Sequence, residues 1–266
     1  MAAGLGEAKA RQVYLVLRDR ILTGVFASGA RLPTENDLAQ VHGVSRVTVR
    51  RALAELEQEQ LIERRPSTGT RVIYEPSCAP IIADIAGVLT NLTEMGQRTN
   101  VKLLSFDYVN GSAPITTALG LEDRAELQRS VRVRSIVRDP FSYLTTHVPA
   151  TIGRSFTRAE LASQPMLKLL ERAGAKVEHA TQRIGAGLAT PPVAKALGIR
   201  TGSPLIELVR VVFDRTGRGV EHLHALYRPD RYSIAIDLIR SGAAESGDWK
   251  PVARDPRRSN QEGHIN

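Results

Sequence analysis

One stretch of this chain, VSRVTVRRALAEL between Val44 and Leu56, constrains the fold more than any other. Its apolar side chains recur with the spacing i, i+3, i+4, i+7, which predicts an amphipathic helix with that face buried. They are Val49, Ala52, Leu53 and Leu56. One apolar face is enough for a helix to fold in a soluble protein, so the positive charges on the other face require an explanation.

The beginning of this helix carries two recognisable signals. Ser45 is predicted to be the N-cap, with its hydroxyl oxygen accepting a hydrogen bond from the backbone N–H of Val47 or Thr48. Val44 before the cap and Val49 within the helix match a hydrophobic staple. The helix is therefore expected to begin directly after the serine.

Three arginines, Arg46, Arg50 and Arg51, are predicted to face outward on the first two turns. Arg46 and Arg50 are like charges at i, i+4, which mildly destabilises a helix, and the N-terminal end of the macrodipole disfavours cations. The alternative is that this arginine face has no partner other than solvent. An anionic partner explains the arrangement better, because a helix that enters the major groove N-terminus first presents its early side chains to bases and phosphates.

The neighbouring segments predict two more helices and a hairpin. Residues 8–23 place an apolar stripe on one helical face, formed by Val13, Tyr14, Leu17, Ile21 and Leu22. A second helix is expected between Thr34, an N-cap with Asp37 in capping-box position, and Gly43, a stop signal. Residues 61–74 alternate around a Ser-Thr-Gly tip, which predicts two short strands.

Three ordered blocks, LPTENDLA (32–39), VSRVTVRRAL (44–53) and LIERRPSTGTRV (61–72), resemble the helix-turn-helix and wing of GntR-type bacterial transcription regulators. The resemblance implies a winged helix-turn-helix domain over residues 1–75 that binds double-stranded operator DNA. The DNA-binding residues expected from these blocks are Asn36, Ser45, Arg46, Val47, Thr48, Arg50, Ser67, Thr68 and Gly69.

The rest of the chain is predicted to hold a linker, a second domain and a tail. Residues 76–83, PSCAPIIA, carry two prolines and no helical signals, which favours a linker. Residues 84–243 alternate helix-like and strand-like pieces. Residues 244–266 are polar with scattered Gly and Pro, which favours a flexible tail.

A faint internal repeat runs through the second domain. APITTALGL (113–121) lies 78 positions before PPVAKALGI (191–199), and at the same offset VRV (131–133) precedes VRV (209–211). Each copy reads as a short helix, a turn and a strand that begins a hairpin. A duplicated unit of this kind predicts an α+β domain with a mainly antiparallel sheet.

The second domain also resembles the UTRA effector domain of the HutC-like branch of those regulators, which shares its fold with chorismate lyase. The supporting stretches are LTEMGQRTNVKLL (92–104), LQRSVRVRS (127–135) and GVEHLHALYRPDRY (219–232). The resemblance implies that the domain binds an effector and forms a homodimer. The effector-binding residues that it implies are Arg132, Arg134, Glu221 and Tyr227.

Arg132 and Arg134 are two apart on a predicted strand, so their side chains project to one face. Two neighbouring guanidinium groups repel unless they share an anion or a carboxylate, which favours a small anionic metabolite such as a sugar phosphate or a carboxylate. An exposed strand face is the alternative. In the repeat Arg132 corresponds to Arg210 and Arg134 to Val212. A position specific to one copy fits a special role, so we expect Arg134 to be the stronger ligand contact.

Three positions depart from the family patterns. GntR-type regulators usually carry arginine at the position of Asn36, and glycine at the position of Ser67 in the wing tip. The effector domains commonly carry glutamate near Leu144 or Thr145, and this chain has none there. A ligand hydroxyl or amine that such a glutamate holds must find another partner here.

Composition excludes several other classes. The chain of 266 residues has a net charge of +8 and no apolar run near the roughly 18 residues that span a bilayer. Its N-terminus lacks the pattern of a signal peptide, and its one cysteine, Cys78, cannot form an internal disulfide. We therefore expect a cytoplasmic protein with no membrane partner.

Catalytic and metal chemistry find no support in the motifs. His222 and His224 share a strand face, with His147 elsewhere in the chain, but no cysteine or further histidine lies nearby in sequence, so no metal is expected. The chain has no nucleophile elbow and no phosphate-binding loop. We expect no catalytic residues and no cofactor.

The sequence therefore predicts a ligand-responsive DNA-binding regulator, a repressor released from a pseudo-palindromic operator by a small anionic metabolite. It is expected to act as a homodimer, because two winged helices then bind two half-sites one helical turn apart. The alternative is an enzyme of chorismate-lyase type with an appended DNA-binding segment, in which the paired arginines hold a dicarboxylate.

Overall fold

The structure is a computed structural model, and it describes residues 2–65, 69–74, 81–84, 99–241 and 248–252. The chain forms two compact units, Met1–Ala79 and Pro80–Asn266. Among the described helices, none is long and apolar enough to cross a membrane.

The first unit contains three helices followed by a hairpin. The helices are α1 (Ala2–Leu22), α2 (Glu35–His42) and α3 (Arg46–Gln58). Strands β1 (Ile62–Arg65) and β2 (Gly69–Val72) pair antiparallel. This is the winged helix-turn-helix order that the sequence predicts.

Local capping explains where α2 and α3 begin. Thr34 and Asp37 form the predicted capping box, in which each side chain accepts a hydrogen bond from the backbone N–H of the other residue. Gly43 ends α2 with φ 59°, a left-handed conformation that glycine adopts without strain. The Oγ of Ser45 accepts from the backbone N–H of Thr48 at 3.2 Å, so the predicted N-cap of α3 is confirmed.

The apolar stripes of α1 and α3 form the core of this unit. The stripe predicted on α1 is buried except for Leu22, which is partly buried against the same cluster. The predicted face of α3 is buried as well, so both periodicity arguments are confirmed. The buried cluster comprises Val13, Tyr14, Leu17, Ile21, Leu32, Leu38, Val49, Ala52, Leu53, Leu56, Leu61, Ile62 and Val72.

The second unit is built around a six-stranded sheet. The described strands of this unit are β3 (Ile81–Asp84), β4 (Asn100–Asn110), β5 (Glu126–Ile136), β6 (Asp139–Pro149), β7 (Val177–Leu188), β8 (Pro204–Asp214), β9 (Gly219–Tyr227), β10 (Tyr232–Ala235), β11 (Asp237–Ser241) and β12 (Asp248–Val252). Strands β4 to β9 form the sheet in the order β4-β5-β6-β9-β8-β7, and every neighbouring pair is antiparallel. The predicted α+β class with a mainly antiparallel sheet is confirmed.

Short helices cover both faces of the sheet. They are α4 (Ala113–Ala118), α5 (Ala150–Gly153), α6 (Arg158–Ser163), α7 (Met166–Arg172) and α8 (Pro191–Leu197). The apolar side chains of α5, α6 and α7 pack on one face, together with Val148 and Val212 of the sheet. Those of α4 and α8 pack on the other face, each in its own cluster.

The predicted repeat is present as a structural duplication. Helix α8 begins 78 residues after α4, and β8 begins 78 residues after β5. Because β4, β5 and β6 correspond to β7, β8 and β9, the strand order is equivalent when counted from either edge. Arg132 and Arg210 therefore occupy equivalent positions on the two sides of the central β6–β9 pair.

Two segments differ from the sequence-based expectation. Residues 81–83, which we placed in the linker, belong to β3 and pair in parallel with β10. Residues 248–252, which we placed in the flexible tail, form β12 and pair antiparallel with β11. The partners of β3 lie near the other end of the unit, so a local sequence pattern does not predict that pairing. Residues 75–80 and 253–266 lie outside the described part.

Candidate functional sites

The outward face of α3 carries the positive side chains that the sequence predicts there. The side chains of Arg46 and Arg50 are 59% and 58% exposed, and Arg51 is exposed as well. Val47 lies exposed among them. The first two turns of α3 therefore present three guanidinium groups and one apolar side chain to solvent.

Thr48 differs from its neighbours on this helix. The residue is only 9% exposed, and its Oγ1 lies 2.9 Å from the Oγ of Ser45. Because the backbone N–H of Thr48 also donates to Ser45, which is the N-cap, both residues take part in capping the N-terminus of α3. Ser45 itself is exposed, so its hydroxyl is the more accessible of the two.

A single carboxylate, Glu35 at the start of α2, binds three arginines from two other elements. The Nε of Arg50 donates to its Oε2 at 2.8 Å, and the Nη2 of Arg64 donates to its Oε1 at 2.8 Å. The Nη2 of Arg46 lies 3.8 Å from Oε2. Sequence reasoning missed both Glu35 and Arg64, because neither lies in the arginine pattern of α3.

The wing contributes Gly69 as the predicted contact that lies within the described residues. Gly69 has φ 83°, and a Cβ built there meets the Nε of Arg31 at 2.9 Å, so a side chain at this position displaces that guanidinium. Asn36 is exposed next to Glu35 on the first turn of α2. Residues 67–68, the predicted tip contacts Ser67 and Thr68, lie outside the described part.

In the second unit, Arg132 and Arg134 project from β5 to one face of the sheet, as their spacing predicts. They are 3% and 5% exposed, so the alternative of an exposed strand face is wrong. Following the register from β5 through β6 and β9 to β8, the side chains of Arg210, Glu221 and Tyr227 project to the same face. All five residues are buried, and this is the face that α5, α6 and α7 cover.

The three buried guanidinium groups differ in their hydrogen bonds. The Nη1 of Arg134 donates to the Oγ1 of Thr99 at 2.9 Å. Arg210 donates from Nε and Nη2 to the Oε1 of Gln182 at 2.9 and 2.5 Å. Arg132 donates only from Nη2, to the Oγ1 of Thr146 at 3.4 Å, and its buried Nε and Nη1 have no partner among the described residues.

The electrostatics of this face favour an added negative charge. Burial, together with the charge of Arg134, lowers the pKa of Arg132 to about 10. Burial raises the pKa of Glu221, against the opposing influence of Arg132 and Arg210, and burial also raises the pKa of Tyr227. Among the described residues of this face, three buried guanidinium groups and one buried carboxylate leave an excess of positive charge, which is unfavourable without a counter-ion.

The positions where related effector domains commonly carry glutamate are also visible. Leu144 lies on the same face as the arginines and is buried, whereas Thr145 lies on the opposite face. The carboxylate on the arginine face is instead that of Glu221 on β9.

The histidines lie on the opposite face of the sheet from the arginines. His222 and His224 share that face, as predicted, and the register places His147 next to His222 with ring centroids 6.1 Å apart. The Nε2 of His224 lies 2.7 Å from the Oε1 of Glu207. Burial, with His222 and Arg129 as lesser causes, lowers the pKa of His147 to about 4.

Comparison with protein families matches both units of the chain. Residues 9–72 match the family model described as "Bacterial regulatory proteins, gntR family". Residues 94–233 match the model of the UTRA domain. The first match covers the winged helix, and the second covers the whole six-stranded sheet.

Curated relatives are similar along most of the chain. The HTH-type transcriptional repressor NagR of Bacillus subtilis is 24% identical, over 86% of this chain and 94% of that protein. The HTH-type transcriptional regulator Rv0792c of Mycobacterium tuberculosis is 29% identical, over 86% of each. A probable fructoselysine utilization operon transcriptional repressor of Escherichia coli is 25% identical, over 86% of this chain and 95% of that protein.

Solved structures share the fold at low sequence identity. PhnF from Mycobacterium smegmatis aligns with a TM-score of 0.53 and 23% identity, over 84% of this chain and 97% of that one. The possible transcriptional regulator YydK from Bacillus subtilis aligns with a TM-score of 0.53 and 17% identity, over 86% of this chain and 98% of that one. The arrangement of a winged helix followed by an antiparallel sheet is therefore found in solved structures.

Proposed function

Because this chain belongs to the GntR family of bacterial regulatory proteins, with a UTRA domain as its second unit, we propose that it is a homodimeric repressor released from its operator by a small anionic effector. At the level that its relatives share, it is a DNA-binding transcription regulator that responds to a small molecule, and it is not an enzyme. The chorismate-lyase alternative has no support among these relatives, which are named as repressors or regulators.

In this proposal α3 enters the major groove. Arg46 and Arg50 extend from its first turns, where an entering helix meets the bases, and a guanidinium can donate two hydrogen bonds to guanine O6 and N7. The exposed methyl groups of Val47 suit contact with a thymine methyl. The remaining proposed DNA contacts are Asn36, Ser45, Thr48, Ser67, Thr68 and Gly69.

A homodimer places two such helices on two half-sites. Half-sites of a symmetric protein lie about one helical turn, roughly 34–36 Å, apart, so we expect a pseudo-palindromic operator. Oligomers of this type are closed by a two-fold axis, which makes the two reading helices equivalent. Effector binding then releases DNA by favouring a dimer geometry in which the two helices no longer match that spacing.

The effector half of the proposal rests on one observation, the unmet hydrogen-bond donors of Arg132. A guanidinium that is 97% buried and leaves its Nε and Nη1 without a partner among the described residues suits an anionic ligand whose oxygens accept from these donors. A phosphate or a carboxylate supplies charged oxygens that accept hydrogen bonds from a guanidinium. Glu221 and Tyr227 on the same face suit the hydroxyl groups of the same ligand.

The hydrogen bonds favour Arg132 over Arg134 as the stronger ligand contact, whereas the repeat favours Arg134. Arg134 already donates to Thr99, whereas two donors of Arg132 have no partner in the part of the chain that the structure describes. Arg210, the equivalent of Arg132 in the second copy, is held by Gln182. We therefore propose Arg132 as the principal anion contact, with Arg134 as its neighbour.

The name of one relative is compatible with this ligand class. A probable repressor of fructoselysine utilization has a sugar–amino acid conjugate in its name, and such a conjugate carries a carboxylate. For this chain, sugar phosphates and sugar-derived carboxylates are the classes that we propose.

The DNA half is tested by selecting duplexes from a random pool with the full-length chain. We expect one enriched pseudo-palindromic sequence, nanomolar binding, and an affinity that falls steeply as salt rises. If no sequence is enriched, or if the selected duplex binds no better than a scrambled one, the regulator proposed here lacks its operator and the proposal is wrong.

The effector half is tested by thermal unfolding in the presence of glucose 6-phosphate and gluconate, with glucose as the neutral control. Ligands that bind the folded state raise the unfolding temperature, so we expect an increase with at least one anion and none with glucose. The Arg132→Met variant should lose that increase. A response to glucose equal to that of the anions contradicts an anionic effector.

A further inference from the structure

The carboxylate of Glu35 joins three parts of the DNA-binding unit at one point. Glu35 is the first residue of α2, and its carboxylate binds Arg46 and Arg50 of α3 together with Arg64 of the wing strand β1. Arg50 and Arg64 are 15 and 29 residues away from it in sequence. Helix α3 and the wing are therefore connected through the side chain of Glu35, in addition to their apolar core.

The way in which each arginine binds Glu35 leaves its outer edge available. Arg50 donates through Nε, so both of its Nη groups remain for a partner outside the protein. The Nη2 of Arg46 lies 3.8 Å from Oε2 of Glu35, and Arg64 donates to Glu35 through Nη2. The carboxylate thus restricts where these guanidinium groups lie without occupying all their donors.

Glu35 is well suited to this position. As the first residue of α2 it is stabilised by the helix macrodipole, which favours a negative charge at the N-terminal end. Its side chain is 20% exposed, much less than the 58–59% of Arg46 and Arg50. A partly buried carboxylate behind exposed arginines offsets their mutual repulsion and faces the DNA less directly than they do.

From this geometry we infer that Glu35 is a positioning residue that sets the sequence selectivity of DNA binding, an inference that rests on the DNA-binding role proposed above. Glu35 holds the guanidinium of Arg50 in the direction in which it meets a base edge, so that less side-chain freedom is lost on binding the correct site. Its negative charge also reduces the attraction of the whole surface to any phosphate backbone. Both effects increase the preference for operator over other DNA.

The test compares Glu35→Gln with Glu63→Gln in the full-length chain. Glu63 is the matched control, because it also lies in this unit, it binds one exposed arginine, Arg65, at 3.0 Å, and its loss changes the net charge equally. The affinity of each variant is measured for the selected duplex and for a scrambled duplex of equal length, over a range of salt concentrations. Thermal unfolding is recorded to establish that both variants fold.

We expect both variants to bind scrambled DNA more tightly, because each gains one unit of positive charge. Only Glu35→Gln should bind the selected duplex more weakly, and its preference for that duplex should fall about tenfold, the scale of one weakened bidentate base contact. If Glu35→Gln and Glu63→Gln keep the same preference, the positioning role of Glu35 is wrong. A wild-type chain with no preference overturns the DNA-binding proposal itself, which is a separate outcome.

A second variant covers the case in which Glu35→Gln does not fold. Arg64→Gln removes the connection to the wing but leaves Glu35 and the capping of α2 intact. Since it also removes a positive charge, it should bind scrambled DNA less tightly and the selected duplex less tightly still. An equal loss on both duplexes contradicts a positioning role for this network.

Discussion

Both units of the chain carry a group of arginines, but the two groups are presented in opposite ways. On α3, Arg46 and Arg50 are more than half exposed and share a carboxylate behind them. On β5, Arg132 is almost completely buried and keeps two donors without a partner among the described residues. Water satisfies an exposed guanidinium, whereas a buried one depends on the groups enclosed with it.

This difference separates the two kinds of partner. Exposed arginines at the start of a helix suit a polyanion that approaches from outside and is released when salt rises. A buried arginine with unmet donors suits a small anion that becomes enclosed with it, where hydrogen bonds to a charged group are strongest. The same residue type therefore suits the proposed recognition of DNA in one unit and of a small molecule in the other.

The largest expected effect is that of Arg132→Met. We expect it to abolish the response to the anionic effector. Removing a buried charge without an adequate partner should also stabilise the ligand-free chain by about 1–4 kcal/mol. Thermal unfolding with and without the anion measures both effects.

The internal duplication offers a matched control for that variant. Arg210 occupies the equivalent position in the second copy, and Gln182 satisfies it. Arg210→Met should therefore destabilise the chain by about 1 kcal/mol, because it removes two hydrogen bonds to the partly buried amide oxygen of Gln182. If both variants lower the unfolding temperature equally, then Arg132 is no less satisfied than Arg210 and the contrast fails.

Arg50→Ala is expected to have the next largest effect. The loss of one bidentate base contact should reduce affinity for the selected duplex by about 10- to 100-fold. Because the side chain is exposed, the free energy of unfolding should change by no more than about 0.5 kcal/mol. Fluorescence anisotropy and thermal unfolding measure the two quantities on the same preparation.

Lys9→Ala serves as the control for loss of charge, because it removes an exposed cation from α1. It should weaken binding to selected and scrambled duplexes by the same small factor. If Arg50→Ala behaves in the same way as Lys9→Ala, then Arg50 contributes charge alone. In that case it makes no base-specific contact.

Features that depend on neighbouring residues could be predicted from the sequence. The capping box of Thr34 and Asp37 and the N-cap Ser45 are formed within one turn of a helix, so their signals lie within a few residues. The buried faces of α1 and α3 follow from a period of 3.6 residues. The duplicated unit was visible because the two copies keep similar lengths as well as similar residues.

Features that depend on tertiary contacts could not be predicted in this way. The bonds of Arg50 and Arg64 to Glu35 join residues far apart in the chain, and no period connects them. Which of Arg132 and Arg134 keeps donors without a partner among the described residues depends on Thr99 and on the strand register, and a comparison of the two repeat copies contains no information on either. Strand β3 was missed because its partner, β10, lies near the other end of the unit.

The smallest expected effect is a loss of folding stability at low pH, which we assign to the histidine face of the sheet and not to the arginine face. Burial holds the pKa of His147 at about 4, below the ordinary value of 6.5, so the folded state binds that proton less tightly than the unfolded state does. His147 therefore destabilises the folded state progressively as pH falls from about 6.5 towards 4, and has no such effect above 6.5.

The arginines remain charged throughout that range, so a decline that belongs to the histidine face should be reduced by changing His147 alone. Unfolding temperatures of the wild type and of His147→Asn, measured between pH 7 and pH 4.5, test this. The quantity compared is the slope of the unfolding temperature against pH. The unfolding temperature itself also changes with the packing beside His222 and Arg129, which the substitution alters. An unchanged slope in His147→Asn assigns the acid sensitivity to other groups and removes this distinction between the two faces.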